Sequence, residues 1–231
     1  GGSWALWETL TQTHPEFGRP SAFHSNVNDS KWLSFTTTLH DSAFFDLMEN
    51  FTGNKAGTGG LVTLTDSNWL MSIVLAHQPH FINQPVNVQV FWGYGLFPDQ
   101  KGNYVPKKMS ECTGADIMVE LCGHLRFDDH LSHILETSNC IPCMMPFITS
   151  QFMPRLMGDR PLVRPTGTTN LAFIGQFCEI PKEVVFTVEY SVRSAQTAVF
   201  SLLDLKKDVS PIYQGEHDIG VLLDSLKTMS H

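Results

Sequence analysis

Residues 61–94 read LVTLTDSNWLMSIVLAHQPHFINQPVNVQVFWGY, and the predicted fold follows from this stretch. It contains three runs rich in β-branched and aromatic residues, over 61–64, 69–75 and 86–94, and such runs are typical of strands. Asp, Asn, Gln and Pro separate the runs and favour turns between them. Strands joined by short turns pair antiparallel, so we expect an antiparallel β-meander.

The prediction extends to both sides of this stretch. A run rich in Thr and aromatic residues over 32–39 predicts another strand, and a short apolar run over 171–174 predicts one that ends at Gly175. Apolar spacing and capping residues predict helices over 4–10, 42–51, 113–125, 130–136, 186–205 and 218–227. Residues 140–167 are rich in Pro and Met and show no clear periodicity. The predicted fold class is α/β, of the mixed α+β type.

The composition indicates one large or two small domains with a substantial core. The 231 residues are 42% hydrophobic and 16% charged, and their net charge is −8. Nucleic-acid-binding domains carry a basic surplus or stripe, so we exclude nucleic acid as a partner. The five cysteines are an odd number in a chain that is not small, which indicates a reducing compartment rather than a disulfide framework.

One candidate ligand site follows the predicted strand over 69–75. His77, Gln78 and His80 surround Pro79 there, and their side chains could hold a carboxylate through hydrogen bonds. The alternative interpretation is a rigid turn around the proline in which these side chains serve only the loop.

A second candidate lies after the predicted strand over 171–174. Gly175, followed by Gln176, would let the backbone approach a ligand closely, because glycine has no side chain. Thr187 and Ser191 lie near the start of the predicted helix over 186–205, where N–H groups and the helix dipole favour phosphate. An ordinary strand–helix connection is the alternative.

A metal site is the third possibility that the spacing raises. His130, His133, Cys140 and Cys143 have spacings that can build a tetrahedral zinc site. A single Cys-x-x-Cys is a weak match, and two buried or idle thiols with surface histidines on a helix are the favoured interpretation. We therefore assign no metal ligand.

Several longer strings occur in one order and resemble the oleate hydratase family, also called myosin-cross-reactive antigen. The similarity runs from about residue 4 to 205, through DSNWLMS (66–72), HQPHF (77–81), WGYGLF (92–97), MMPF (144–147), FMPR (152–155), GDRP (158–161), NLAFIGQF (170–177) and EYSVR (189–193). The resemblance implies a bacterial flavoprotein, a lyase of lipid metabolism. It adds water to the cis-9 double bond of oleate and gives 10-hydroxystearate, with FAD as a cofactor that undergoes no net redox change.

The resemblance also implies roles for particular residues. The family's catalytic Glu and Tyr lie in a portion that this sequence does not match, so we assign no catalytic residue and expect the chain alone to be inactive. His80 matches the family's carboxylate-binding histidine, with His77 and Gln78 beside it, whereas Val74 and Ala76 replace the family's Thr and Asn. The residues expected beside FAD are Gly175, Gln176, Phe186, Thr187 and Ser191.

The implied architecture is part of a flavin-binding α/β domain joined to a β-meander and helical fatty-acid-binding domain. We predict a β-rich portion of both domains over 1–105, a helical, Pro/Met-rich portion of the substrate tunnel over 106–165, the return to the FAD-binding domain over 166–205, and the start of a C-terminal helical segment over 206–231. The expected partners are unsaturated fatty acids (oleate, linoleate) and a second copy in a homodimer. The expected location is the cytoplasm, with peripheral membrane contact. The alternatives are a non-catalytic module that binds fatty acid or flavin, and a zinc-stabilised interaction domain.

Overall fold

A computed structural model of the chain describes residues 2–183 and 187–230. Two compact units result: the split unit, residues 1–25 with 151–231, and the sheet unit, residues 26–150. The helices of the described residues are α1 (Gly2–Thr13), α2 (Ser21–His24), α3 (Val27–Ser30), α4 (Ala43–Thr52), α5 (Gly114–Leu125), α6 (Leu131–Thr137), α7 (Val188–Leu202) and α8 (Ile219–Met229). The strands are β1 (Trp32–Leu39), β2 (Val62–Leu64), β3 (Met71–Val74), β4 (Gln89–Gly95) and β5 (Ser138–Met145).

Short 3-10 turns complete the described secondary structure, at Pro15–Phe17, Met109–Glu111, Asp128–His130, Ser150–Phe152 and Gly215–His217. None of the helices in the described residues combines the length and the apolar character that are needed to cross a bilayer.

The sheet unit, every residue of which is described, contains a five-stranded antiparallel sheet in the order β2-β3-β4-β1-β5. Strands β2, β3 and β4 are consecutive in sequence and adjacent in the sheet, which confirms the predicted meander. Thr36 of β1 pairs with Trp92 of β4 on one side and with Ile141 of β5 on the other. The three-residue β2 and the Pro142-containing β5 therefore form the two edges.

Strand β1 shows why one face of this sheet forms a core. Leu33, Phe35, Thr37 and Leu39 are buried, whereas the residues between them are partly or largely exposed. This alternation is the period of two that a strand buried on one face requires. The core on this face also contains side chains from α4 and α5 and the fully buried Trp69, whose indole N–H donates to the Gln100 carbonyl at 2.8 Å.

Helix α5 begins where the sequence predicts it, because its first turn is capped. The Thr113 hydroxyl accepts a hydrogen bond from the Asp116 N–H, and the Asp116 carboxylate accepts one from the Thr113 N–H. This reciprocal pair is a capping box. Gly114, in the first turn, lies against β5, and a Cβ atom there would be 1.8 Å from the Cys140 carbonyl oxygen.

The starts of two predicted strands were wrong, and a further strand was not predicted. β3 begins at Met71 rather than at residue 69, since Leu70 has a φ of +47°, which is incompatible with an extended strand. β4 begins at Gln89 rather than at residue 86, because the Val88 N–H closes a turn onto the Pro85 carbonyl. Residues 138–145, of which 140–145 fall in the region without clear periodicity, form β5.

The split unit has its own small core, which includes Val163, Cys178, Ile180, Tyr190 and Ala198. The strand predicted over 171–174 was wrong. Its apolar run joins no ladder: the Phe173 N–H donates to the Val163 carbonyl at 2.8 Å, and the residues around it are loop. Helix α7 spans Val188–Leu202, and Phe186, with which the predicted helix begins, lies outside the described residues.

The boundaries of the two units come from contacts between residues, whereas the boundaries of the four predicted segments come from their expected functions. That functional division stays a prediction. The mixed α/β class is confirmed by the antiparallel sheet and the helices of the described residues.

Candidate functional site

The first candidate site is the loop between β3 and β4 in the sheet unit. It follows β3, which is an interior strand of the sheet. Its Gln78–Pro79 peptide bond is cis.

Gln78 holds this loop to β4. Its side-chain N–H groups donate to the carbonyls of Ala76 (3.0 Å) and Val90 (2.9 Å). Its side-chain oxygen accepts from the Val90 N–H at 3.1 Å and from the Gln84 amide at 2.7 Å. Both donors of the amide are thus engaged within the protein, so a direct contact with a ligand carboxylate would break an existing hydrogen bond.

Gln84, which sequence reasoning missed, continues this network. Its side-chain oxygen accepts from the N–H groups of His80 (2.9 Å) and Phe81 (3.2 Å), and its amide donates to the Val88 carbonyl at 2.6 Å. The backbone of His80 is therefore held while its imidazole remains exposed. No local spacing marks Gln84, because its partners become neighbours only when the loop closes.

Apolar side chains are exposed beside these histidines. Phe81 and Val86 are exposed, Ile82 is 100% exposed, and the Phe81 ring lies edge-on to His80 with 4.7 Å between the ring centroids. His77 is exposed as well. The structure thus brings two imidazoles and several apolar groups onto one ordered loop, which is the combination that a carboxylate with an apolar tail needs.

The positions of the family's Thr and Asn lie at the start of this loop. Val74 ends β3 and pairs with Trp92 of β4, and Ala76 offers its carbonyl to Gln78. Neither side chain can donate a hydrogen bond, whereas the exposed imidazoles of His77 and His80 in the same loop can.

The second candidate site is a cavity of about 510 Å³ in the split unit. Apolar and aromatic side chains dominate its walls, which comprise Trp4, Leu6, Trp7, Leu10, Pro161 and residues 172–178. The Phe177 ring lies 4.8 Å from the Trp4 ring and 5.5 Å from the Phe23 ring between centroids. The predicted Gly175 and Gln176 therefore line a preformed apolar cavity.

Ser194 connects two of the predicted cofactor residues. This buried hydroxyl accepts a hydrogen bond from the Gly175 N–H at 2.9 Å and donates one to the Ser191 carbonyl at 2.7 Å. The Cys178 thiol donates to the Gly175 carbonyl at 3.1 Å, and burial raises the pKa of this thiol. Gly175 and Ser191 thus lie close together, whereas Phe186 is outside the described residues.

This geometry suits a flat aromatic group better than a phosphate. Gly175 has a φ of +101°, and a Cβ atom there would meet nothing within 4 Å, so a flat group can approach its backbone. Its N–H is already engaged by Ser194, however. At the start of α7 the Thr187 side chain makes no capping bond, and the carboxylate of Glu189 opposes a phosphate there.

The histidine and cysteine spacings receive no support as a metal site. His133 lies 2.7 Å from the Asp41 carboxylate, and Cys143 is exposed on β5. Across residues 2–183 and 187–230, no three His, Cys, Asp or Glu side chains cluster so that they could hold a metal ion.

Comparison with known proteins places the chain in a family. It is 43% identical over 235 residues to an oleate hydratase of Streptococcus pyogenes serotype M49 (strain NZ131), a match that covers 96% of this chain and 40% of that protein. It is 33% identical over 249 residues to a linoleate hydratase of Lactiplantibacillus plantarum, with 99% of this chain and 43% of that protein covered. The chain spans about two fifths of the length of these relatives. The MCRA family model matches residues 1–200, and the chain therefore belongs to the MCRA family.

Proposed function

We propose that this chain is the C-terminal portion of a fatty acid hydratase that adds water to the cis-9 double bond of oleate. One proton adds to C9 and the hydroxyl oxygen of water bonds to C10, so that 10-hydroxystearate forms without net oxidation. One observation carries the proposal: hydratases of two unsaturated fatty acids match this chain over 96% and 99% of its length.

The loop between β3 and β4 has the chemistry to bind the substrate carboxylate. A carboxylate that leaves water needs hydrogen-bond donors, and the exposed imidazoles of His77 and His80 supply them. The side chains of Gln78 and Gln84 accept hydrogen bonds from backbone N–H groups of Val90 and His80, and these bonds hold the backbone of His80 in one position. The exposed side chains of Phe81 and Ile82 offer apolar surface to the first methylene groups of the chain.

The cofactor in this proposal is FAD. When bound, it supplies an aromatic, polarisable surface to the reaction and no net electron transfer. The groups of this chain that would hold its ring system are the backbone of Gly175 and Gln176 and the aromatic side chains around them. Thr187 and Ser191 stay predictions as cofactor contacts. The homodimer, the cytoplasmic location and the membrane contact also stay predictions.

The test uses the full-length protein with FAD and oleate, with the product identified by mass spectrometry. We expect 10-hydroxystearate from the wild type. His80→Ala should raise KM about tenfold or more, the equivalent of one hydrogen bond to a charged group, with kcat little changed. His130→Ala, also an exposed histidine of the sheet unit, is the control and should leave KM unchanged.

Val74→Thr with Ala76→Asn should recover part of the lost affinity in the His80→Ala background. Absence of product from the wild type would overturn the proposed reaction. An unchanged KM in His80→Ala would place the carboxylate elsewhere.

Assays of the purified 231-residue chain alone distinguish catalysis from binding. The resemblance assigns the acid and the base to a portion outside this sequence, so we expect this chain to form no hydroxy acid. Product formed by the purified chain would contradict that assignment. Oleate or flavin binding by this chain would show that it contains the corresponding site, and a full-length protein that binds oleate without forming product would identify a non-catalytic binding module.

A further inference from the structure

Arg160 is a buried cation beside the apolar cavity of the split unit. It is 3% exposed, and its guanidinium carbon lies 5.5 Å from the centroid of the Phe23 ring and 5.9 Å from that of the Tyr190 ring. Such cation–π contacts offset part of the cost of removing a charge from water. Burial still lowers the pKa of Arg160 from its ordinary value, because desolvation disfavours the charged form.

The hydrogen bonds of this guanidinium lead to the cavity wall. One terminal nitrogen donates to the Gln176 carbonyl at 2.8 Å, and the other donates to the Gln151 carbonyl at 2.8 Å. The first of these nitrogens is also 3.4 Å from the Tyr190 hydroxyl. A planar fork can hold two chain segments at a fixed separation, which a flexible ammonium cannot do as well.

Tyr190 holds the next part of the same loop. Its hydroxyl donates to the Cys178 carbonyl at 2.7 Å and accepts from the Ile180 N–H at 3.1 Å. Arg160 and Tyr190 together therefore fix backbone atoms of residues 176, 178 and 180. The backbone of this segment also forms a bridge between Leu162 and Glu179, and the side chains of Arg160 and Tyr190 add hydrogen bonds on either side of it.

We infer that Arg160 is a positioning residue that fixes residues 175–177 as the wall against which a planar aromatic ligand, such as the flavin ring system, packs. The inference rests on the proposed function for the ligand, but the positioning of the loop does not. Loss of the guanidinium removes its hydrogen bond to the Gln176 carbonyl, whereas the side chains that line the cavity stay the same.

The experiment compares Arg160→Lys with Arg164→Lys in the full-length protein. Arg164 is an exposed arginine four residues away that also donates to carbonyls, those of Thr168 and Ser201, and it is the matched control. Hydrogen exchange of the cofactor-free protein, followed by mass spectrometry, reports the order of residues 174–180. Titration with FAD, followed by flavin fluorescence and by the visible spectrum of the bound flavin, reports the site.

We expect Arg160→Lys to speed exchange over 174–180 by about tenfold, to weaken FAD binding by about tenfold, and to shift the spectrum of the bound flavin. Arg164→Lys should change none of these. Unchanged exchange in Arg160→Lys would overturn the inference. If Arg160→Lys exchanges faster but the wild type does not bind FAD, the positioning role of Arg160 is supported and FAD is ruled out as the ligand.

Tyr190→Phe is the second variant if the lysine substitution prevents folding. It keeps the ring beside Arg160 and removes the hydroxyl, so exchange should rise at residues 178–180. If residues 178–180 exchange at the wild-type rate in Tyr190→Phe, the conclusion that these side chains fix the loop is overturned.

Discussion

The Arg19 guanidinium donates two parallel hydrogen bonds to the Asp159 carboxylate, from Nε to Oδ1 and from Nη2 to Oδ2, each 2.8 Å long. The Arg19 N–H also donates to the Asp159 carbonyl at 2.8 Å. Gly18 permits this approach: its φ is +97°, and a Cβ atom there would lie 2.5 Å from the Asp159 carbonyl oxygen. Two stretches of the split unit that are 140 residues apart in sequence are joined in this way.

Asp159→Asn should destabilise the protein at neutral pH. The hydrogen bond from Arg19 lowers the pKa of Asp159, a side chain that is only 7% exposed. Its carboxylate therefore contributes stability above the unfolded-state pKa of about 4, and this contribution is lost as the pH falls through the lower folded-state pKa. Urea unfolding should show a lower midpoint for the variant at pH 7 and a smaller difference near pH 3. Asp208→Asn, at an exposed carboxylate, is the control; equal midpoints at pH 7 for Asp159→Asn and the wild type would contradict the prediction.

Glu120→Ala should destabilise the sheet unit by about 3–5 kcal/mol. The buried carboxylate accepts hydrogen bonds from the N–H groups of Asn103 (2.6 Å), Tyr104 (2.8 Å) and Val105 (2.8 Å), and truncation leaves these donors without it. Chemical denaturation measures the loss. Glu111→Ala, at an exposed carboxylate, should cost less than about 0.5 kcal/mol. A loss below about 1 kcal/mol in Glu120→Ala would mean that water replaces the carboxylate.

Gly114→Ala should destabilise the packing of α5 on β5. The added Cβ would lie 1.8 Å from the Cys140 carbonyl oxygen, which is backbone, so a strand or a helix must move. Overpacking of this kind costs about 1–3 kcal/mol or more. Gly60→Ala is the matched control, because a Cβ there meets nothing within 4 Å. Thermal unfolding should separate the two variants, and similar melting temperatures would refute the close approach.

Gln78→Glu should loosen the loop between β3 and β4. The substitution replaces an amide that donates to the carbonyls of Ala76 and Val90 with an oxygen that repels them. A cost of about 1–3 kcal/mol follows from the lost and opposed hydrogen bonds. Gln100→Glu changes an exposed amide of the same unit and should be nearly neutral. Equal stability of the two variants would show that the Gln78 network contributes little.

Elements with local signals could be predicted from the sequence. Helix α5 is marked by Thr113 and Asp116, which cap it, and α4 ends at Gly53, whose φ is +70°. Helix α8 begins after Asp218, which accepts hydrogen bonds from Gly220 and Val221. Such contacts lie within a few residues, so a short window of sequence contains both partners.

The missed elements depend on distant partners. Strand β5 contains Pro142 and several Cys and Met residues, and it is a strand because β1 supplies its hydrogen bonds. The apolar run over 171–174 has the composition of a strand but no ladder partner. In the candidate sites, His80 and Gly175 were identified by type and by resemblance. Gln84, Ser194 and Arg160 could not be, since their roles arise only when separate segments meet.

The edges of the sheet have a consequence for the behaviour of the protein at high concentration. An exposed strand edge offers unpaired N–H and C=O groups to another chain and can begin aggregation. Here one edge is the three-residue β2, which gives such a chain little length to pair with. At the other edge, Pro142 interrupts the row of donors along β5, because proline has no N–H. Both edges of the sheet thereby disfavour pairing with a strand of another molecule, which is the step by which a fibril would form.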